Sequence, residues 1–304
     1  MSFEVVRVPA ERDVEPVTLH AWLFRPPGAA KSSRPAITMA HGFGGLKYRG
    51  LQAFAERFAS AGFIVIVHDH RGFGLSGGTP RGDIDPWRQI ADWRWVLSYL
   101  ETVDGVDPTR IGLWGSSYAG GHSLVLGATD TRVKVVVAQV PTISGYEQSL
   151  RRVSAANRPA LEESFNEDDR AQLRGSAPAV QQLVSTDPSV RAAYRSPAVL
   201  DYHQRFPLPA GVDPGEVVTL RLTRLAQMYE PGAWIARIGP KPLLMVVGSR
   251  DGTTPIDLAL GAYERALEPK RLVIFEGDHY DTYMSQFETV SRAAEAWFIE
   301  HLRP

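Results

Sequence analysis

The sequence predicts an α/β fold: a mostly parallel, doubly wound sheet with a helical cap inserted late in the chain. Three observations carry that expectation. Short apolar runs alternate with stretches of helical length along most of the chain. From residue 36 onward those runs are continuously apolar, as in parallel strands covered on both faces. One interval, residues 141–236, abandons the rhythm yet is too long for a plain loop.

The first two segments, Phe3 to Pro9 and Val17 to Phe24, alternate with period two, which suits antiparallel strands with one wet face. The continuous runs follow at Ala36–Ala40, Phe63–Val67, Arg110–Trp114, Lys134–Val140, Pro242–Val247 and Arg271–Phe275. Helices are predicted between them over Gly50–Ala61, Pro86–Thr102, Ser117–Ala128, Pro255–Leu267 and Met284–Leu302. Such alternation implies right-handed crossovers. Inside 141–236 no run reads as a strand. Helical patterns there cover Glu147–Ala156, Val180–Val184 and Val217–Tyr229, broken by repeated prolines. The expected organisation is a core from residues 1–140 and 237–304 and a helical cap from 141–236.

A chain of 304 residues can bury a large core with an insertion. The formal net charge of −1 gives no electrostatic basis for a nucleic-acid or anionic-membrane partner. No run approaches the roughly 18 apolar residues of a membrane span. The start, Met1-Ser2-Phe3-Glu4-Val5-Val6-Arg7, lacks the pattern of a secretory signal. Zero cysteines exclude thiolate catalysis, disulfides and cysteine-based metal sites. A cytoplasmic location is expected.

The most informative stretch is Gly115-Ser116-Ser117-Tyr118-Ala119-Gly120, directly after an apolar run and before a predicted helix. A serine at the apex of so sharp a turn needs small residues two positions before and two after. Ser117 has Gly115 and Ala119 there, whereas Ser116 would have Trp114 and Tyr118. Ser117 is therefore the candidate nucleophile. A serine hydroxyl needs a base, usually a histidine oriented by a carboxylate. In this fold class the order is serine, acid, histidine, each beyond a strand end. Asp251, in Gly248-Ser249-Arg250-Asp251-Gly252, and His279, in Glu276-Gly277-Asp278-His279, supply that order. Asp278 and Asp281 are weaker acids: the first adjoins His279 and the second suits a turn cap.

Met39-Ala40-His41-Gly42-Phe43-Gly44-Gly45 opens a glycine-rich loop after the first parallel strand. Its backbone, with that of the residue after the nucleophile, suits an oxyanion hole formed by the N–H groups of Phe43 and Tyr118. Asp69-His70-Arg71-Gly72-Phe73-Gly74 lacks the lysine and Ser/Thr of a phosphate loop. Asp69 and Arg71 are instead expected to hydrogen-bond the loops around the site. His68, His70 and His122 form no metal-ligand pattern with nearby acids, and His122 is expected to pack behind Ser117.

Together these motifs resemble the α/β-hydrolase superfamily over nearly the whole chain. His41-Gly42-Phe43-Gly44, the Asp69–Gly77 segment and Gly115–Gly120 are similar to a dienelactone-hydrolase-like branch. With Trp234-Ile235-Ala236-Arg237-Ile238 and Gly248-Ser249-Arg250-Asp251, they resemble more narrowly the bacterial hydrolases grouped with fungal polyketide transferases. The Ser117-Tyr118 pair is also similar to that of the X-Pro dipeptidyl peptidase and cocaine-esterase group, whose C-terminal jelly-roll domain has no counterpart here.

The expected function is a serine hydrolase acting on an ester, thioester or lactone-type carbonyl of a small-molecule acyl substrate. Its chemistry requires no metal and no organic cofactor. The narrower resemblance includes both hydrolases and acyl-transferring enzymes, so an acyltransferase using the same acyl-enzyme is the first alternative. A binding protein on a hydrolase scaffold is the second. The 141–236 segment has ten arginines against eleven acidic residues and several aromatics, which favours a moderately apolar ligand. Capped hydrolases of this type often pair, so a homodimer is compatible with the resemblance.

Overall fold

The computed structural model describes residues 2–10, 16–28 and 33–304. Its main sheet has eight strands. These are β1 (Phe3–Ala10), β2 (Val17–Phe24), β3 (Arg34–Ala40), β4 (Ile64–His68), β5 (Val106–Ser116), β6 (Val133–Gln139), β10 (Leu243–Gly248) and β11 (Lys270–Phe275). Their spatial order is β1-β2-β4-β3-β5-β6-β10-β11. β2 runs antiparallel to both neighbours, and from β4 to β11 every pairing is parallel. The predicted antiparallel opening and parallel remainder are both present.

Five helices cover the sheet: α1 (Leu51–Ser60), α2 (Pro86–Glu101), α3 (Tyr118–Thr129), α8 (Ile256–Arg265) and α9 (Phe287–Leu302). Successive strand residues point to opposite faces, so each parallel strand feeds two cores. On β5, Leu113 joins Trp93, Leu97 and Leu126 of α2 and α3, while Trp114 joins Phe54 of α1 and Phe298 of α9. The start of α2 is fixed locally. Asp85 accepts from the N–H groups of Trp87 and Arg88, and Pro86 takes the first turn, where no donor is needed.

Residues 141–236 depart from expectation in two respects. They contain helices α4 (Gly145–Arg152), α5 (Arg158–Leu173), α6 (Pro197–Arg205) and α7 (Arg221–Gln227). Of these, α5 and α6 form where no helical pattern was read, and three strands are also present. β7 (Val180–Val184), β8 (Ala192–Tyr194) and β9 (Val217–Thr219) form a separate small sheet in the order β8-β7-β9. The segment read as helical at Val180–Val184 is thus a strand, and Val217–Tyr229 is a strand leading into a helix. In β7 the inward positions are Gln181 and Leu183. Gln181 Nε2 donates to Thr223 Oγ1 at 2.8 Å, so a polar residue occupies a buried position and masks the period of two. The small sheet rests on the loop after β4: Asp83 accepts from Thr219 Oγ1 at 2.7 Å and from Arg221 Nη2 at 2.6 Å.

Candidate active site

The loops that leave β3, β5, β10 and β11 at their carboxyl ends meet at one rim of the sheet, where ligands bind in open α/β folds. Ser117 is the single residue between β5 and α3, and it adopts φ 60° and ψ −117°. A side chain rarely tolerates that backbone, and here it is held by the packing around the turn. A Cβ on residue 115 would lie 2.0 Å from the Ala119 carbonyl oxygen, which is why glycine stands two positions before the apex.

The structure separates the two adjacent serines. Ser116 is fully buried; its Oγ shares a 2.5 Å hydrogen bond with Tyr283 Oη and accepts from Gln139 Nε2 at 3.3 Å. Ser117 Oγ instead lies 3.0 Å from His279 Nε2. His279 Nδ1 lies 2.7 Å from Asp251 Oδ2. The three side chains singled out in the sequence form one continuous hydrogen-bonded chain.

Asp251 is fixed more firmly than its place in a turn suggested. Its Oδ1 accepts from the N–H groups of Thr253 and Thr254 at 2.8 and 2.7 Å. Thr254 Oγ1 lies 2.8 Å from Oδ2 and 3.0 Å from the Val140 carbonyl oxygen. Burial raises the carboxyl pKa, but the attraction of His279, its hydrogen bond and those of Thr254 outweigh burial and hold it below the ordinary carboxylate value. An ionised Asp251 accepting from Nδ1–H leaves Nε2 unprotonated and able to accept from the Ser117 hydroxyl.

The glycine-rich loop lies against the serine. A Cβ on residue 42 would be 2.6 Å from Ser117 Cβ, so only glycine permits this approach. Phe43 follows, its ring edge-on to Tyr118 at 5.1 Å and to Tyr194 at 5.3 Å. Tyr118 opens α3, so its N–H is one of the first-turn amides that have no partner within the helix. His41 is not a second base. Its ring is buried, its pKa pushed down to about 3 mainly by that burial, and its Nδ1 accepts from Gly42 N–H at 2.7 Å.

Of the supporting residues, Asp69 bonds a loop as expected, accepting from Lys47 N–H at 2.8 Å and pairing with the buried Lys47 ammonium. Arg71 differs: its guanidinium pairs with Asp92 on α2, because the segment after β4 turns back across that helix. Asp281 caps a turn, accepting from Asp278 N–H at 2.8 Å. His122 bonds Tyr229 Oη at 2.8 Å and Gln89 Oε1 at 2.9 Å behind the serine. Thr254, Lys47 and Tyr283 were not singled out from the sequence, and Tyr202 counted there only as one of the aromatics of the 141–236 segment. Only Thr254 left a signal there, because Asp251-Gly252-Thr253-Thr254 before Pro255 reads as an Asx turn entering a helix.

A small, partly open space of about 50 Å³ adjoins Ser117, walled by Phe43, Leu183, Tyr194, Val199 and Tyr202. Outside it a groove of about 640 Å³ runs past His279, lined by Arg152, Tyr194, Arg195, Arg250 and Asp278. Among the described residues no group of three or more His, Cys, Asp or Glu is arranged to hold a metal ion. Nor is any helix there long and apolar enough to cross a membrane.

Known proteins are similar to this chain in sequence and in fold. The quorum-quenching protein AidA of Acinetobacter baumannii is 30% identical over 281 residues, covering 92% of this chain and 90% of that protein. Polyketide transferase grgF of Penicillium sp is 29% identical over 280 residues, covering 90% and 89%. The crystal structure of the alpha/beta hydrolase GrgF from Penicillium sp. sh18 matches with a TM-score of 0.84 at 24% identity, covering 99% of each chain. The family model described as X-Pro dipeptidyl-peptidase (S15 family) matches residues 15–281. The chain has the α/β-hydrolase fold and belongs to the X-Pro dipeptidyl-peptidase (S15) family.

Proposed function

We propose that this protein is a serine hydrolase that cleaves an ester, thioester or lactone-type carbonyl through an acyl-enzyme on Ser117. The observation that carries the reading is the relay of 3.0 Å from Ser117 Oγ to His279 Nε2 and 2.7 Å from His279 Nδ1 to Asp251. His279 takes the Ser117 proton as Oγ attacks the carbonyl carbon. Asp251 holds the tautomer and stabilises the imidazolium. The tetrahedral oxyanion sits against the N–H groups of Phe43 and Tyr118, and collapse passes the proton to the leaving oxygen or sulfur. Water, deprotonated by His279, then releases the acid and restores Ser117. No metal or organic cofactor enters these steps.

In this reading residues 1–140 and 237–304 form the catalytic core in a cytoplasmic protein, and 141–236 is a cap that bounds the acyl site. The small space beside Ser117, walled by Leu183 and Val199, supports a compact, moderately apolar acyl group. The test is turnover of p-nitrophenyl butyrate and of a butyryl thioester by the wild-type protein and by Ser117→Ala. Loss of both activities in the variant, with an unchanged fold, is the expected result. Equal rates would remove Ser117 from the mechanism.

Acyl transfer is the second reading. The groove past His279 offers room for an alcohol or amine where water would otherwise enter, and one similar protein is named a polyketide transferase. Product analysis with added acceptors separates the two.

A further inference from the structure

We propose that Tyr202, carried by α6 in the 141–236 segment, is a positioning residue that holds the 41–49 loop in the shape needed to stabilise an oxyanion. The site is then complete only while α6 is docked. This inference rests on the reading of Ser117 as the nucleophile.

One hydroxyl reaches both ends of the loop. Tyr202 Oη donates to the Arg49 carbonyl oxygen at 2.5 Å and accepts from His41 Nε2 at 2.7 Å. The direction of the second bond follows from the other side of the ring. His41 Nδ1 accepts from Gly42 N–H, so the single proton of a neutral imidazole sits on Nε2. Gly42 in turn presses on Ser117 and is followed by Phe43, whose N–H is the proposed donor. The chain of contacts therefore runs from α6 through His41 and Gly42 to the proposed donor amide.

The relay is buried and has no slack. Tyr202 is 2% exposed and His41 6%. The Tyr202 ring packs on Tyr280 and Tyr283 with centroids 5.0 and 5.1 Å apart, and His41 stacks on Tyr283 at 5.2 Å. Burial also keeps His41 neutral, which the geometry requires: an imidazolium would have no lone pair for Gly42 N–H. Away from water these hydrogen bonds have no cheap substitute, so undocking α6 removes the hydroxyl that bridges both ends of the loop and leaves only the 3.1 Å contact of His41 Nε2 with the Arg49 carbonyl between them. A displacement of about 1 Å at an oxyanion donor costs on the order of 100-fold in rate. Segment 141–236 would thus govern whether the proposed oxyanion hole is assembled, besides enclosing the acyl group.

Tyr202→Phe tests this, because the ring packing stays and His41 Nε2–H keeps the Arg49 carbonyl, 3.1 Å away, as an acceptor. The experiment measures kcat and KM on p-nitrophenyl butyrate, inhibition by a trifluoromethyl ketone, thermal unfolding, and labelling of Ser117 by a fluorophosphonate. The expected result is a fall in kcat of about tenfold or more, with KM within twofold and the ketone inhibition constant rising in step. The ketone adduct carries the oxyanion, so a loss of stability that leaves the 41–49 loop in place would not move its affinity in proportion to kcat. A variant that keeps kcat within twofold, or one that changes only KM or unfolding temperature, overturns the inference. A wild-type protein that resists labelling at Ser117 overturns the nucleophile reading itself, and the inference with it.

Discussion

Tyr283 Oη lies 2.5 Å from Ser116 Oγ, and this pairing leaves only the second of two adjacent serine hydroxyls facing an imidazole. Ser116→Ala should therefore keep its turnover of p-nitrophenyl butyrate within about threefold of wild type while losing about 1–2 kcal/mol of stability, since the buried Tyr283 hydroxyl loses its bond to Ser116. Urea unfolding alongside steady-state rates checks both halves. Lost activity in a folded Ser116→Ala protein would contradict the assignment of the two serines.

The sharp turn at Ser117 depends on the absence of a side chain at 115. In Gly115→Ala the new methyl would meet the Ala119 carbonyl at 2.0 Å, a backbone atom that cannot swing aside. The expected cost is about 3 kcal/mol, with turnover lost because the apex must shift. Thermal unfolding and rate together decide; a variant of native stability and native rate would show that the turn is not so constrained.

Asp251 is held by Thr254 as well as by His279, and these contacts separate its charge from its placement. Asp251→Asn should lower kcat by about 10³–10⁴-fold with little change in melting, because the wrong histidine tautomer is favoured. Thr254→Val removes the hydroxyl contacts to Asp251, Val140 and His279 but leaves the two backbone amide bonds to Asp251, so a fall of about tenfold is expected. If the two variants lose equal activity, the carboxylate is not the element that matters.

The buried histidines give the fold an acid sensitivity. His41 is pushed down to about 3 and His70 to about 4, in both cases chiefly by burial. Their unfolded value is about 6.5. Below it the unfolded chain binds protons that the native rings refuse, so stability is full above that value. It is lost as pH falls from about 6.5, over a window that reaches about 4 for His70 and about 3 for His41. Each ring contributes at most about 1.4 kcal/mol per pH unit. His70→Gln, which retains a donor for the His41 carbonyl, should make unfolding temperature less steep in this window. An unchanged slope would show that the ring does not titrate as described.

The main sheet was legible because most of its strands are short, continuously apolar runs separated by stretches of helical length. Seven of the eight predicted strands end within two residues of the observed ends, the exception being the fifth, which starts four residues earlier. The loops beyond β3, β5, β10 and β11 could be read for the same reason: each follows a strand whose end was clear. The small sheet was not legible. β8 and β9 have three residues each, too few to show a period, and β7 places Gln181 inward. Tyr202 stands 161 residues from His41, so their bond depends on where α6 docks rather than on any local pattern. Lys47 reads in sequence as a solvent-facing loop residue, yet its ammonium is fully buried against Asp69. Charges compensated through space leave no trace in a linear pattern.

Peptide mapping by mass spectrometry after reaction with a fluorophosphonate tests the nucleophile most directly. A single adduct on Ser117, formed in step with loss of esterase activity and absent from Ser117→Ala, is the predicted result. An adduct on Ser116, or an unmodified protein that still hydrolyses the ester, would contradict it.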